Sequence, residues 1–224
     1  MAGVKSRDGV PGLVAFDVDG TLLRGPTICQ CLARALGRAE EMEAFERLST
    51  REDIAKARAV MLDWYRPHQR SVLLEHLRSS VTLAPGAREG IKLLRASGVK
   101  VALVSITWEF AVEWLRAELG ADFAVGTKWL AGDEIGHFWP ENKANWLTEM
   151  LLSCSLCVAD LAAVGDSTSD LPMLQLAGRG YFVGVCAPVL PPHVEHWPHA
   201  NIADIAQDFL DVALPGATAR RAKR

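Results

Sequence analysis

The stretch "LVAFDVDGTLL", residues 13–23, decides how the rest of the chain is read. An apolar run ends in two aspartates, Asp17 and Asp19, spaced i, i+2 and followed by Gly-Thr-Leu. The run itself predicts a buried parallel strand. Side chains two positions apart leave a strand on the same face, so the two carboxylates crowd each other. Like charges that close cost free energy unless a cation or a shared proton relieves them. A solvated turn is the plain interpretation; a metal-binding, catalytic site is the other. The remaining sequence has to choose between them.

The bulk properties narrow the field. A chain of 224 residues, half of them hydrophobic and 23% charged, fits one large soluble domain or a core with a smaller inserted module. The net charge of -3 gives no reason to expect a nucleic-acid partner. Residues 216–224 are basic and read as a disordered, solvated tail. The N-terminus lacks the apolar core of a signal peptide, and no window of about twenty residues is apolar enough to span a bilayer. These features predict a cytoplasmic protein with no membrane partner, monomeric or homodimeric. Of five cysteines, Cys154 and Cys157 form a lone CxxC with no second pair and no suitably spaced His, so they read as thiols of a reducing compartment rather than a zinc or redox site.

Further strands are predicted over 100–105 ("KVALVS") and 161–166 ("LAAVGD"), with weaker ones over 121–126 and 180–185. Helical patterns lie between them at 84–98, 108–120 and 142–153. Strands alternating with helices predict a doubly wound α/β fold with a parallel sheet. Residues 24–80 break the pattern: they are rich in Ala, Leu, Glu and Arg, with helical periodicity and no convincing strand. They predict an α-helical cap inserted after the first strand into a core formed by residues 1–23 and 81–215.

Each of the three best strands ends in polar residues suited to phosphate or metal: Asp17 with Asp19, Ser105, and Asp166 with Asp170. In open α/β sheets ligands bind outside the carboxyl ends of the strands, so these distant segments converge on one edge. An EF-hand over "DVDGTLLRGPTI" fails on spacing, because Gly20 occupies the fourth rather than the sixth position and Ile28 stands where a bidentate Glu belongs.

Together "DVDGTLL", "LVSITWE", Lys143 and "VGDSTSDLPML" resemble the four motifs of the haloacid dehalogenase-like superfamily, most closely its phosphoserine-phosphatase-like branch. The resemblance runs from Leu13 to about Phe209. It implies a phosphatase in which Asp17 is the nucleophile and forms an aspartyl-phosphate. Asp19 would be the general acid and then the base that activates water. Mg²⁺ would be held by Asp17, Asp166 and the backbone carbonyl of Asp19, with Asp170 behind them orienting metal waters and Lys143. The phosphate of a small-molecule substrate would meet Ser105, the amides around Ile106 and Thr107, and Lys143; Lys128, expected in a loop, is the rival lysine. Dehalogenating members lack an acid two residues after the nucleophile, so Asp19 favours phosphate-ester hydrolysis. Two alternatives stay open: a non-catalytic phosphate-binding or regulatory protein on the same fold, and a phosphotransferase or phosphomutase.

The substrate-reading parts depart from the branch. Phosphoserine phosphatases carry a Glu shortly after the first motif, whereas "RGPTICQ" (24–30) holds no acid. Their second motif continues Ser-Gly-Gly, whereas here it reads Ser105-Ile106-Thr107-Trp108. Arg51 and Arg58 are candidate contacts for an acidic group on the substrate. Trp108 reads as core packing or as a stacking surface for substrate, and "PPHVEHWPH" (191–199) as an exposed loop.

Overall fold

A computed structural model of the chain describes residues 12–213, and the basic tail at 216–224 lies outside them. In chain order the first elements are β1 (Leu13–Phe16), β2 (Leu23–Arg24), α1 (Ile28–Ala35), α2 (Ala39–Phe45), α3 (Arg51–Tyr65), α4 (Arg70–Ser80) and β3 (Thr82–Leu83). They are followed by α5 (Ala87–Ala96), β4 (Lys100–Trp108), α6 (Glu109–Leu119), β5 (Phe123–Trp129), β6 (Ile135–Gly136) and α7 (Pro140–Ser153). The last are β7 (Leu161–Gly165), α8 (Leu171–Leu176), β8 (Arg179–Phe182), β9 (Val194–His196) and α9 (Ile202–Ala213).

The main sheet has seven strands in the order β6-β5-β4-β1-β7-β8-β9. All neighbours are parallel except the β5–β6 pair. The first strand is central, in register with Lys100–Leu103 on one side and Leu161–Val164 on the other. A central strand buried on both faces needs an unbroken apolar run, which is what "LVAF" supplies. Its side chains alternate: Val14 and Phe16 join the core under α5, α6 and α9, while Leu13 and Ala15 join the core under α7 and α8. The chain winds outward from β1 in both directions, so the switch point of the sheet lies at the end of β1, beside Asp17.

The helices α1 to α4 occupy the connection between β2 and β3, which pair antiparallel through Leu23–Leu83 and Arg24–Thr82. Thr27 caps α1, accepting the Gln30 amide while the Gln30 side chain accepts the Thr27 amide. Thr50 does the same for α3 by accepting the Asp53 amide. The insert seats on the sheet through aromatic packing: Tyr65 stands edge-on to Trp108 and Phe110, with ring centroids 5.7 and 6.2 Å apart. Trp108 is thus a core residue.

Two sequence expectations change. Residues 191–199 are not all loop, because Val194–His196 forms the edge strand β9 on β8 with Val194 buried. Proline on both sides hid a strand that needs few ladder bonds at an edge. Lys128 lies on β5 rather than in a loop, and pairs with Glu109 at 3.8 Å. Helix α9 was not anticipated, although Ile202, Ile205, Ala206, Phe209 and Leu210 repeat at helical spacing and are buried.

Candidate active site

Asp17 follows the last residue of β1, and its amide extends the ladder by donating to the Val164 carbonyl at 2.9 Å. That bond fixes the carboxylate where three strand ends meet. Asp166 follows the last residue of β7 and Asp170 sits one tight turn later. Carboxylate oxygens of Asp17, Asp166 and Asp170 all lie within 4.8 Å of one another. Two glycines make the crowding possible. A Cβ at Gly20, where φ is +85°, would collide with the Asp166 carboxylate, and a Cβ at Gly165 would collide with Asp170.

Lys143 enters from the first turn of α7 and is fully buried. Its Nζ donates to Asp17 Oδ1 at 2.6 Å and to Asp170 Oδ1 at 2.5 Å. The other Asp170 oxygen accepts the Asp166 and Ser167 amides, each at 3.0 Å, and the Ser167 hydroxyl at 3.1 Å. Asp170 therefore ties the lysine to the turn that carries Asp166. Burial works against the lysine's charge, but Asp17 and Asp170 outweigh it and hold its pKa above the ordinary value. Burial, with the Asp170 charge next, pushes Asp17 well up, and the same two causes raise Asp166.

Asp166 touches no cation at ion-pair distance among the described residues; its Oδ1 accepts the Thr21 hydroxyl at 3.1 Å. Three carboxylates therefore meet one ammonium, that of Lys143, while the Arg24 charge also acts on Asp166. The donor set is all oxygen and carries excess negative charge, which fits a hard divalent cation.

Asp19 stands apart from this cluster. Its Oδ1 accepts the Ile28 amide at 2.7 Å, so the carboxylate faces the start of α1. Burial outweighs that hydrogen bond and pushes its pKa up to about 7. Ser105 and Thr107 lie on β4, which runs on to Trp108 beyond the expected end at Ser105, so α6 begins only at Glu109. Between Val104 and Trp108 the register against β5 slips, and such irregularities re-aim side chains at strand ends. Ser105 Oγ is buried there and accepts the Thr107 amide at 3.3 Å.

The structure thus brings Asp17, Asp166, Asp170 and Lys143 into contact, with Asp19, Ser105, Ile106 and Thr107 on flanking segments of the same edge. Arg51 and Arg58 are not in the carboxylate cluster. Arg51 pairs with Glu141 and lies over the Trp139 ring, 5.3 Å from its centroid. Arg58 is buried and donates to the carbonyls of Ile106 and Phe138. Reading from sequence missed Thr21, which its place inside "DVDGTLL" signals, and Cys29, whose thiol lies 3.5 Å from Thr107 Oγ1 and which no motif marks.

A family model described as haloacid dehalogenase-like hydrolase matches residues 14–175, most of the chain and all of this cluster. The chain belongs to the haloacid dehalogenase-like hydrolases. Within that family it falls in the phosphoserine-phosphatase-like branch and is a phosphatase. It is similar to the phosphoserine phosphatase of Methanocaldococcus jannaschii, 31% identical over 179 residues, covering 74% of this chain and 82% of that one. It is also similar to the phosphoserine phosphatase of Archaeoglobus fulgidus, 30% identical over 179 residues, covering 75% of this chain but about half (51%) of that one. The phospho-aspartyl intermediate analogue of a phosphoserine phosphatase superposes with a TM-score of 0.71 at 22% identity, over 88% of this hydrolase and 98% of that chain. The cobalt-bound deoxy-D-mannose-octulosonate 8-phosphate phosphatase of Haemophilus influenzae superposes at 0.54 and 15% identity, over 91% and 90%. Neighbours acting on such different esters share the fold, which leaves the substrate to the site. Among the described residues no helix is long and apolar enough to cross a membrane.

Proposed function

We propose that this hydrolase cleaves a small phosphate monoester with Mg²⁺ through a phosphoryl group carried on Asp17. One observation carries the reading. Three carboxylates crowd within 4.8 Å at the sheet's switch point, and a single buried lysine contacts two of them. A cluster of that kind is costly unless its charge is used.

Asp17, Asp166 and the Asp19 carbonyl would hold Mg²⁺, which when bound offsets the repulsion between an attacking carboxylate and a phosphate dianion. The chain's own groups do the rest. Asp17 attacks the phosphorus in line, the ester oxygen leaves, and the phosphoryl group is now bonded to a carboxylate oxygen. Asp19, held near neutrality in pKa, gives its proton to the departing alkoxide. It then takes a proton from the water that attacks the phosphorus, which releases phosphate and restores Asp17. Lys143 would neutralise Asp17 and the transferring phosphate, held in aim by Asp170, while Ser105 and the amides of Ile106 and Thr107 would donate to phosphate oxygens. The helical insert would act as a cap that excludes water and limits the substrate to small molecules. Free cysteines suit the reducing cytoplasm as its setting.

The test is release of inorganic phosphate from an aryl phosphate with Mg²⁺ and with EDTA, by the wild type and by Asp17→Asn. Turnover that needs the metal and vanishes with the substitution is the expected result. A folded, Mg²⁺-binding protein that cleaves no phosphate ester would refute the proposal.

A further inference from the structure

One buried charge plays no part in the reaction as proposed. Arg58, on α3 of the insert, is only 5% exposed, and no carboxylate pairs with it among the described residues. Burial lowers its pKa only to about 10, so it keeps its charge at neutral pH. A buried cation without a counter-ion is costly unless its hydrogens are well placed. The other cations at this edge are anchored elsewhere. Lys143 holds Asp17 and Asp170, while Arg24 donates to the Gly20 carbonyl beside Asp166, its Nη2 left unpartnered.

Arg58 Nη2 gives one hydrogen to the Ile106 carbonyl at 2.9 Å and the other to the Phe138 carbonyl at 3.1 Å. Its Nη1 lies 3.2 Å from His137 Nδ1, and the Trp139 ring covers one face, its centroid 4.6 Å from the guanidinium carbon. Both carbonyls belong to peptides whose other side serves the candidate phosphate groups. A trans peptide points its C=O and N–H in opposite directions, and none in the described chain is cis. With the Ile106 carbonyl turned to Arg58, the Thr107 N–H turns the other way and donates to Ser105 Oγ at 3.3 Å. That leaves the Ser105 hydroxyl hydrogen for another acceptor. With the Phe138 carbonyl held, the Trp139 N–H donates at 2.8 Å to Oδ1 of Asn142, the residue before Lys143.

Thr127 on β5 closes the network and is buried with it. Its hydroxyl donates to the Ile106 carbonyl at 2.9 Å and accepts the Phe138 amide at 3.3 Å. The Ile106 carbonyl thus has two donors, and hydrogen bonds linked in this way polarise one another.

We propose that Arg58 and Thr127 are positioning residues that set the phosphate-binding segment 105–107 and couple it to the seating of the insert on the core. The inference rests on Ser105, Thr107 and Lys143 as the groups that meet phosphate. Seating α3 fixes the Ile106–Thr107 peptide. Coupling of this kind is reciprocal, so bound phosphate tightens the seating of α3 by the same factor. The coupled ligand is the phosphate group itself, so the effect is the same for every alcohol.

The experiment measures, with Mg²⁺, the inhibition constant of inorganic phosphate and the kcat and KM of an aryl phosphate, glycerol phosphate and O-phospho-L-serine. The wild type is compared with Arg58→Lys, Thr127→Val and Thr127→Ser. A lysine lacks the planar fork that spans two carbonyls. Arg58→Lys should therefore raise the phosphate inhibition constant and all three KM values by a common factor of about ten, as for one lost charge-assisted hydrogen bond, with little change in kcat. Thr127→Val should raise them about threefold, and Thr127→Ser, which keeps the hydroxyl, should bring them back. Added phosphate should slow amide hydrogen exchange across α3 in the wild type and not in Arg58→Lys.

An unmoved inhibition constant beside a lowered melting temperature would make the network merely structural. A KM loss confined to phosphoserine would make Arg58 a reader of the substrate carboxylate. Either result overturns the inference, as does exchange across α3 that ignores phosphate in the wild type. If it falls in one of these ways while Asp17→Asn still abolishes aryl phosphate cleavage, the hydrolase reading stands. If the wild type cleaves no ester, both fall.

Discussion

The proposed phosphate side and the proposed leaving-group side of the site are built by different rules. On the phosphate side every polar group is fixed by a strand end or a buried ion pair: Asp17 by the β1–β7 ladder, Asp170 by two amides, Lys143 by two carboxylates. On the leaving-group side the Cys29 thiol of α1 meets the Thr107 hydroxyl of β4, and the insert packs onto the sheet through aromatic rings. Chemistry common to a family needs the first kind of rigidity, because a reacting carboxylate must be held within a fraction of an ångström. Selection of one alcohol needs only a few exchangeable contacts. The contrast teaches that sequence motifs mark what the reaction requires and say little about which molecule undergoes it.

The sharpest way to break this contrast is at Asp17. Asp17→Asn should lower kcat by about four orders of magnitude or more for every ester, since the proposed nucleophile is lost outright. Phosphate release from several esters would check it, and a loss confined to one ester would dissolve the division into two sides. Asp19→Asn comes next, with an expected loss of roughly 100- to 10,000-fold on an alkyl phosphate. An aryl phosphate should suffer much less, because its phenolate leaves without a proton; equal losses on both would remove Asp19 from its assigned role.

The third effect is on stability. Lys143→Met leaves Asp17 and Asp170 buried without their cation and should cost about 3–5 kcal/mol, read by urea denaturation in EDTA. A neutral result would show that the two aspartates are protonated and need no partner. The smallest effect is on the insert. Thr50→Ala removes the side-chain acceptor for the Asp53 amide and should cost about 1 kcal/mol. It should leave kcat nearly unchanged, since α3 carries none of the reacting groups; a fall in kcat alone would tie the insert to the chemical step.

Much of this was legible beforehand, for reasons that particular residues show. Residues 13–17, 100–105 and 161–166 read as buried strands because continuous apolar runs have few other uses in a chain of this polarity, and β1, β4 and β7 are adjacent in the sheet. Lys143 was separable from Lys128 through the family resemblance, which implies a lysine opening the helix before the fourth motif; the structure puts the first at 2.6 Å from Asp17 and the second on β5 beside Glu109. The edge strand β9 escaped because two prolines precede it and a histidine-rich segment follows no period. The antiparallel β2–β3 ribbon escaped because its two-residue strands lie some sixty residues apart and share no local signal.

By itself the sequence determined the α/β alternation, the helical segment interrupting it, and the aspartates and serine at the strand ends. Those features are local: apolar period, helix capping and a carboxylate pair all act within a few residues. Only the tertiary structure decided that Arg58 spends both Nη2 hydrogens on core carbonyls, and that Asp170 takes one bond from Lys143 while its other oxygen accepts the Asp166 and Ser167 amides. Whether a charge is free to meet a ligand depends on which groups from distant segments have already satisfied it. Side-chain spacing along a chain carries no record of that.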